Sequence, residues 1–248
     1  MGILNVTPDS FADGGKHNDF ESAVARGLQM IAEGVDIIDI GGESTRPGAD
    51  RVSETEEIAR TIPVIAELAK HGVKISIDTM RASIAKAAIG AGASIINDVS
   101  GGLADPLMLQ TAAALKVPYI AMHWRGQSKD MNSKAIYGDV VNDVISELQE
   151  RIDAALDAGI TKDNLIIDPG LGFAKDADHN WAIIDAIDQF VAMGYPVLVG
   201  ASRKRFLGGD SPDEREQATI DLTKRLAPTG VWAVRVHSVK PHKEVLSV

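Results

Sequence analysis

The sequence predicts an α/β protein: a parallel barrel of eight strands ringed by helices, a (β/α)8 architecture in a single domain spanning 1–248. Three observations predict it. At least seven short runs rich in Ile, Val, Leu and Met end in a polar group and lead into a helical pattern. An eighth run, PVLVG, leads into Ser202, Arg203 and Lys204. The polar groups gather at the C-terminal ends of the runs, where such a barrel builds its site. The length of 248 residues is typical of one such barrel. Strand–helix alternation would also suit an open doubly wound sheet, but no G-x-G-x-x-G opens the first helix and no G-x-x-x-x-G-K-[ST] occurs.

The elements follow in order. Strand 1 is expected at Gly2–Val6, almost at residue 1, where a barrel strand usually has a lead-in closing the bottom. Either a trimmed chain or closure by other residues is expected. Helix 1 is expected at about Phe20–Gly34, capped by Asp19, with Val24, Leu28 and Ile31 at helical spacing. Strand 2 is Asp36–Ile40. Ser53 and Glu56 form an S-x-x-E signature opening helix 2, which Gly72 stops after His71. Strand 3 is Lys74–Ile77, helix 3 Ala82–Ala91 and strand 4 Ser94–Asn97. Asp105-Pro106 is expected to start helix 4. Strand 5, Tyr119–Met122, precedes a polar stretch, Arg125–Tyr137, and a long helix at about Val140–Ala158. Strand 6 at Leu165–Ile167, helix 6 at about Trp181–Met193 with Asn180 as its cap, and strand 7 at Val197–Val199 come next. Helix 7 within Glu214–Leu226, strand 8 at Trp232–Val236 and a short final helix from about His242 complete the pattern.

Composition narrows the function. Hydrophobic residues make up 45% and charged residues 24%, an ordinary globular balance. The absence of cysteine excludes disulfides, thiolate catalysis and thiolate metal sites. No apolar run approaches the roughly 18 residues of a membrane span, and no signal peptide is visible, so a cytoplasmic protein with no membrane partner is expected. The net charge of -10 argues against a nucleic-acid partner. It is compatible with a small anionic substrate held by a local cationic cluster, since distant charge is screened beyond about 10 Å.

Asp78, Asn97 and Asp168 each close an apolar strand. One such Asp alone would serve equally well as a helix cap, but three at strands 3, 4 and 6 can line one side of a deep pocket. There, carboxylate and amide can read the donors and acceptors of an aminopyrimidine edge. Ser202, Arg203, Lys204 and Arg205 follow strand 7, and Arg235 and His237 share one face of strand 8. Consecutive basic residues are usually a solvated patch, but the loops after strands 7 and 8 are the usual anion site of this architecture. Two long loops, 7–15 and 42–48, consist largely of ordinary turn formers. The first also carries Phe11, costly to expose unless it covers something. Asn5 offers an amide oxygen, one possible ligand to a Mg²⁺ whose other partners are water and phosphate. His123 reads as a structural residue more readily than a functional one. No H-x-H or H-E-x-x-H pattern supports a zinc site. His17, His71, His179 and His242 read as loop or surface positions.

Taken together, GILNVTPDSFADGG, DIIDIGGESTRPGA, SIDT, INDVSGG, MHWRG, DPGLGF, SRKRF and RVH resemble the dihydropteroate synthase family from residue 1 to about 240. That family is a group of TIM-barrel transferases of the folate pathway, inhibited by sulfonamides. The resemblance implies condensation of 6-hydroxymethyl-7,8-dihydropterin pyrophosphate with p-aminobenzoate, giving 7,8-dihydropteroate and pyrophosphate. It implies that Asp78, Asn97, Asp168 and Lys204 hold the pterin, with Met122 and Phe173 in its pocket and Arg235 stacked on it. It assigns pyrophosphate to Asn5, Arg46, Arg235 and His237, with Mg²⁺ at Asn5. It assigns p-aminobenzoate to Phe11, Ser44, Thr45, Pro47 and Lys204. The catalytic groups it implies are Asp78, Lys204, Arg235 and His237, in a homodimer paired through the last helices. Ala12, Ala174 and Ser238 depart from the family pattern, which commonly has Ser, Gly and Asp there. The rival readings are a catalytically silent pterin-binding paralogue, a pterin methyltransferase domain and a purely structural barrel. The second has no use for SRK, STRPG and the RVH pair. The third leaves the polar strand ends unexplained.

Overall fold

The computed structural model describes residues 1–7, 16–43, 51–127 and 131–247, with 16–19 and 132 described by backbone only. Eight parallel strands run in sequence order: β1 Gly2–Asn5, β2 Ile37–Gly41, β3 Lys74–Asp78, β4 Ile95–Asp98, β5 Tyr119–Met122, β6 Leu165–Asp168, β7 Leu198–Val199 and β8 Ala233–Val234. Strands β1 to β6 pair consecutively, and β7 pairs with β8. The parallel bridges Ile167↔Val197 and Gly2↔Val236 join the two sheets on both sides. The backbone N–H of Ile3 donates to the Val236 carbonyl at 2.8 Å, and that of Ile167 to the Pro196 carbonyl at 2.9 Å. The sheet therefore closes on itself and has no free edge.

Alternation along the strands sorts the side chains into two sets. Ile37, Ile95, Ile120, Ile166 and Leu198 face one another across the barrel, and Met1 packs among them. This layer fills the lower interior. The opposite faces of the strands, including Ile38, Ile40, Ile75, Ile77 and Ile96, join the larger core beneath the helices.

The helices are α1 Lys16–Ala32, α2 Glu54–Leu68, α3 Ala82–Gly90, α4 Met108–Leu115, α5 Val140–Asp157, α6 Ala177–Asp185, α7 Ile187–Val191, α8 Arg215–Leu226 and α9 Lys240–Leu246. Helix α5 shows why they lie where they do: Val144, Leu148, Ile152 and Ala155 recur at helical spacing and are all buried. Each large aliphatic side chain so buried contributes about 1.5–3 kcal/mol. The Ser53 side chain accepts from the Glu56 N–H at 3.2 Å and caps α2, while the Glu56 carboxylate pairs with Arg60, so only the Ser53 half of the expected capping box forms.

Several expectations are corrected. Helix α1 begins at Lys16 rather than Phe20. Helix α4 begins at Met108, and Asp105 leads into it: its Oδ1 accepts the Leu107 N–H at 2.9 Å, while its Oδ2 accepts the Ala82 N–H at 2.8 Å and so also serves the start of α3. The expected helix 6 is two helices, broken at Ala186, and it begins earlier. Asp176 is its cap, in a reciprocal box with His179, while Asn180 is buried inside the first helix. His242, expected at the surface, is buried in α9, its Nδ1 2.8 Å from Thr223 Oγ1.

Candidate functional site

The C-terminal ends of the strands converge on one polar mouth. Asp78, Asn97 and Asp168 are all buried there. Asp78 and Asn97 are register partners on β3 and β4, so their side chains stand side by side. Gly41 occupies the matching place on β2 beside Asp78. A Cβ at Gly41 would lie 3.4 Å from that of Asp78, so the glycine keeps this corner open. Across the barrel, the Gly170 N–H donates to Asp168 Oδ1 at 2.7 Å. Gly170 has φ +69°, and a Cβ there would collide with the His123 carbonyl oxygen. Only glycine supports the turn that holds Asp168.

An apolar wall faces these groups. Met80, Val99 and Met122 are buried together, with Trp124 and Phe173 packed against them. The Lys204 ammonium lies 4.8 Å from the centre of the Phe173 ring and donates to the Leu171 carbonyl. A flat polar heterocycle would meet hydrogen-bonding groups at its edge and apolar side chains on its face.

Charge in the mouth is held at a cost. Burial pushes the Asp78 carboxyl up to about 7; Arg235 opposes this, while Asp39, Glu57 and Asp98 add to it. Burial likewise raises Asp168, against the Gly170 N–H and the cations Lys204, Arg235 and Lys175. Burial lowers Lys204 to about 8, with Asp168 resisting. Several groups forced away from their ordinary values in one cleft make it a candidate functional site.

Arg235 directly follows β8; its Nη2 donates to Asp78 Oδ2 at 2.7 Å and its Nε donates to Asp39 Oδ2 at 2.6 Å. Just beyond β8, the His237 N–H donates to Ser202 Oγ at 3.2 Å, and its ring Nδ1 lies 2.9 Å from the same oxygen. A hydroxyl donating to Nδ1 leaves the ring proton on Nε2, where it can serve an anion. Arg203 does not join this group. Its guanidinium donates to Glu216 at 2.7 Å and to Ser238 Oγ at 2.9 Å, and its backbone has φ +58°. The loop after β7 therefore offers Ser202 and Lys204 but turns Arg203 towards α8.

Asn5 ends β1 beside Gly41. Among the described residues, no group of three or more His, Asp or Glu side chains is arranged to hold a metal ion. One amide oxygen at a strand end suits a Mg²⁺ held mainly by phosphate and water. Phe11, Ser44, Thr45, Arg46 and Pro47 lie outside the described residues.

Two polar groups of the site escape a reading of strand ends. Asp39 is fully buried in the middle of β2, where Asn97 Nδ2 also donates to it at 3.0 Å. Its only sequence signal is an acid inside DIIDI, two residues after Ile37 and therefore on the same inward face. Lys175 is buried behind the Asp168 turn. Its Nζ donates to His123 Nδ1 at 2.8 Å and to the carbonyls of Gly170 and Phe173 at 3.1 Å. Burial, aided by Lys175, lowers His123 to about 4, and its Nε2 donates to Glu147 at 2.9 Å. His123 is the hydrogen-bonded structural residue that its position suggests.

The chain resembles known proteins over its whole length. Residues 1–237 match the family model described as pterin binding enzyme. A dihydropteroate synthase of Mycobacterium leprae strain TN is 48% identical, covering 100% of this chain and 91% of the relative. The solved structure of a Xanthomonas albilineans dihydropteroate synthase with 4-aminobenzoic acid superposes with a TM-score of 0.94 at 43% identity. It covers 100% of this chain and 90% of that one. Another structure of the Xanthomonas albilineans enzyme, in complex with 7,8-dihydropteroate, gives a TM-score of 0.90 at 40% identity, with the same coverage.

Proposed function

We infer that this chain, which belongs to the pterin binding enzyme family, is a dihydropteroate synthase. It is a transferase that joins 6-hydroxymethyl-7,8-dihydropterin pyrophosphate to p-aminobenzoate and releases pyrophosphate. The observation that carries the reading is the pairing of two unlike half-sites in one barrel mouth. Buried Asp78, Asn97 and Asp168 stand on one side, and Lys204, Arg235 and His237 on the other. A silent paralogue would have no use for the second half.

In this reading the pterin edge is held by Asp78, Asn97, Asp168 and Lys204. Met122 and Phe173 line its face, and Arg235 stacks on it. Asn5, Arg46, Arg235 and His237 take the pyrophosphate, and Mg²⁺, when bound at Asn5, adds positive charge to it. Phe11, Ser44, Thr45, Pro47 and Lys204 frame p-aminobenzoate, and sulfonamides would compete for the same place.

The chemistry needs no protein nucleophile. The bond between the exocyclic carbon and the bridging oxygen breaks, and its electron pair leaves with pyrophosphate. His237 and Arg235 stabilise the growing negative charge through donors fixed before the reaction begins. Ionised Asp78 stabilises the positive charge left on the pterin. The aniline nitrogen then forms the new C–N bond, and its surplus proton is released. We also take the protein to be a cytoplasmic homodimer, as the family resemblance implies; light scattering at twice the monomer mass tests the assembly.

Turnover of both substrates tests the reaction, and anion binding tests the second half-site. Replacing His237 or Arg235 by Ala should weaken pyrophosphate by about 1.5–3 kcal/mol per lost charged hydrogen bond. Mg²⁺ alone should bind poorly, and pyrophosphate should enhance its binding in an Asn5-dependent way. Calorimetric titration checks both. Unchanged pyrophosphate affinity in both variants, or tight Mg²⁺ binding indifferent to Asn5→Ala, would count against the assignment.

A further inference from the structure

Asp39 lies one strand layer below the mouth, two residues from Gly41 along β2, and is fully buried. A carboxyl in a barrel interior is costly unless paired. Its Oδ2 is well supplied, accepting from Arg235 Nε at 2.6 Å and from Asn97 Nδ2 at 3.0 Å. Its Oδ1 is buried and meets no hydrogen-bond donor among the described residues. Ser76, its register partner on β3, does not relieve it: Ser76 Oγ is also buried and makes no hydrogen bond among the described residues. The bond network is therefore concentrated on one oxygen, and that oxygen faces Arg235.

Arg235 thus spans two carboxyls at different depths. Its Nε holds Asp39 below and its Nη2 holds Asp78 above. The upper bond occupies the group that the pterin requires. A ligand that takes Asp78 Oδ2 must displace Nη2, yet the same arginine must remain to stack on the ring. A planar guanidinium anchored at Nε can do both, because rotation about the Nε–H···O contact lifts Nη2 away while the side chain stays in the mouth.

Resting on the reading of the previous subsection, we propose that Asp39 is a positioning residue of this site. It anchors Arg235 at Nε, so that the guanidinium can surrender Asp78 to the pterin without leaving the pocket, and it fixes the Asn97 amide from below. Asp39 itself need not touch the substrate.

The test compares the parent protein with Asp39→Asn, Arg235→Met and the double variant. Turnover by the parent comes first; a parent that neither binds nor turns over the pterin pyrophosphate overturns the functional reading and this inference with it. With an active parent, Asp39→Asn should raise the KM for pterin pyrophosphate about tenfold or more and leave that for p-aminobenzoate within about twofold. The guanidinium, held below by a neutral acceptor in place of a carboxylate, then stays on Asp78. The acid limb of the kcat/KM profile should also move to lower pH. Asp78 is faced by Arg235 from just after β8, Asp39 from β2, Glu57 from α2, Asp98 from β4 and Lys204 from the loop after β7. Of these the substitution removes only the Asp39 charge, which helps to hold Asp78 high. A merely structural Asp39 would lower Tm and leave the KM for pterin pyrophosphate in place.

The double variant keeps the inference falsifiable if Asp39→Asn alone folds poorly, since without the arginine a neutral side chain at 39 leaves no deep charge unpaired. Calorimetry with the pterin substrate should show a much smaller loss from Arg235→Met to the double variant than from the parent to Asp39→Asn, the remainder reflecting the Asn97 contact. An equal loss from Asp39→Asn with and without Arg235 would overturn the inference. So would an unchanged pterin KM and pH profile in the single variant.

Discussion

Asp168→Ala should bind the pterin substrate roughly a hundredfold or more weakly, while the KM for p-aminobenzoate changes little. Asp168 closes β6 and is buried in the mouth, with one oxygen already committed to the Gly170 N–H. In the proposed complex its carboxylate accepts hydrogen bonds from the donor edge of the ring. Each charged hydrogen bond contributes about 1.5–3 kcal/mol, and leaving buried ligand donors unpaired adds to the loss. Two such bonds correspond to about 10²–10⁴ in affinity. The substitution also frees the Gly170 turn, and Phe173 lies in that loop. Asp168→Asn separates the two effects, because it keeps an acceptor for Gly170 while removing the charge. It should fall between the parent and the alanine variant. Calorimetry with the pterin substrate checks the series, and near-parental affinity in Asp168→Ala would remove this residue from the site.

Asp78→Asn should lose activity and gain stability together. Removing the carboxylate that faces the pterin cation should lower kcat by roughly 10²–10³, the usual effect of deleting one preorganised electrostatic group. Burial, resisted by Arg235, holds this carboxyl up to about 7 in the folded protein, above its ordinary value of 3.8. The folded state therefore retains a proton that the unfolded chain gives up. The associated stability is fully present below about 4 and is lost as pH rises through about 7. Asparagine resembles the protonated form at every pH. At pH 8 the variant should melt above the parent, and the gap should narrow towards pH 5 and close only below about 4. Melting curves at pH 5, 6.5 and 8 check this. A variant that melts lower than the parent at pH 8 would mean that the Arg235 ion pair outweighs the burial cost.

The strand ends were legible because a barrel puts chemistry at a fixed place on each strand. Asp78, Asn97, Asp168, Arg235 and His237 could thus be picked from a linear pattern, and all converge on one mouth. Asp39 was not legible in that way. It sits mid-strand, and its partner Arg235 is 196 residues away in sequence. Lys175 was hidden for the same reason, since its contact with His123 spans 52 residues. Arg203 shows the opposite failure. Adjacent basic residues after β7 look equivalent in sequence, but Arg203 has a left-handed backbone and pairs with Glu216 on α8, whereas Lys204 reaches the pocket. The split of the sixth helix depends on the backbone at Ala186, with φ −105° and ψ 21°, for which no glycine or proline gives notice. His242 is buried because α9 packs on α8, a contact between elements that local patterning does not specify.

The central claim is that one barrel mouth joins the two half-sites in a single reaction. Incubation of the purified protein with 6-hydroxymethyl-7,8-dihydropterin pyrophosphate, p-aminobenzoate and Mg²⁺ tests it most directly, with pyrophosphate and dihydropteroate followed together. The expected result is equal release of the two products, abolished by omitting p-aminobenzoate and strongly reduced in Asp78→Asn and His237→Ala. Tight binding of the pterin substrate without release of either product would contradict the claim and identify a pterin-binding protein that performs no condensation.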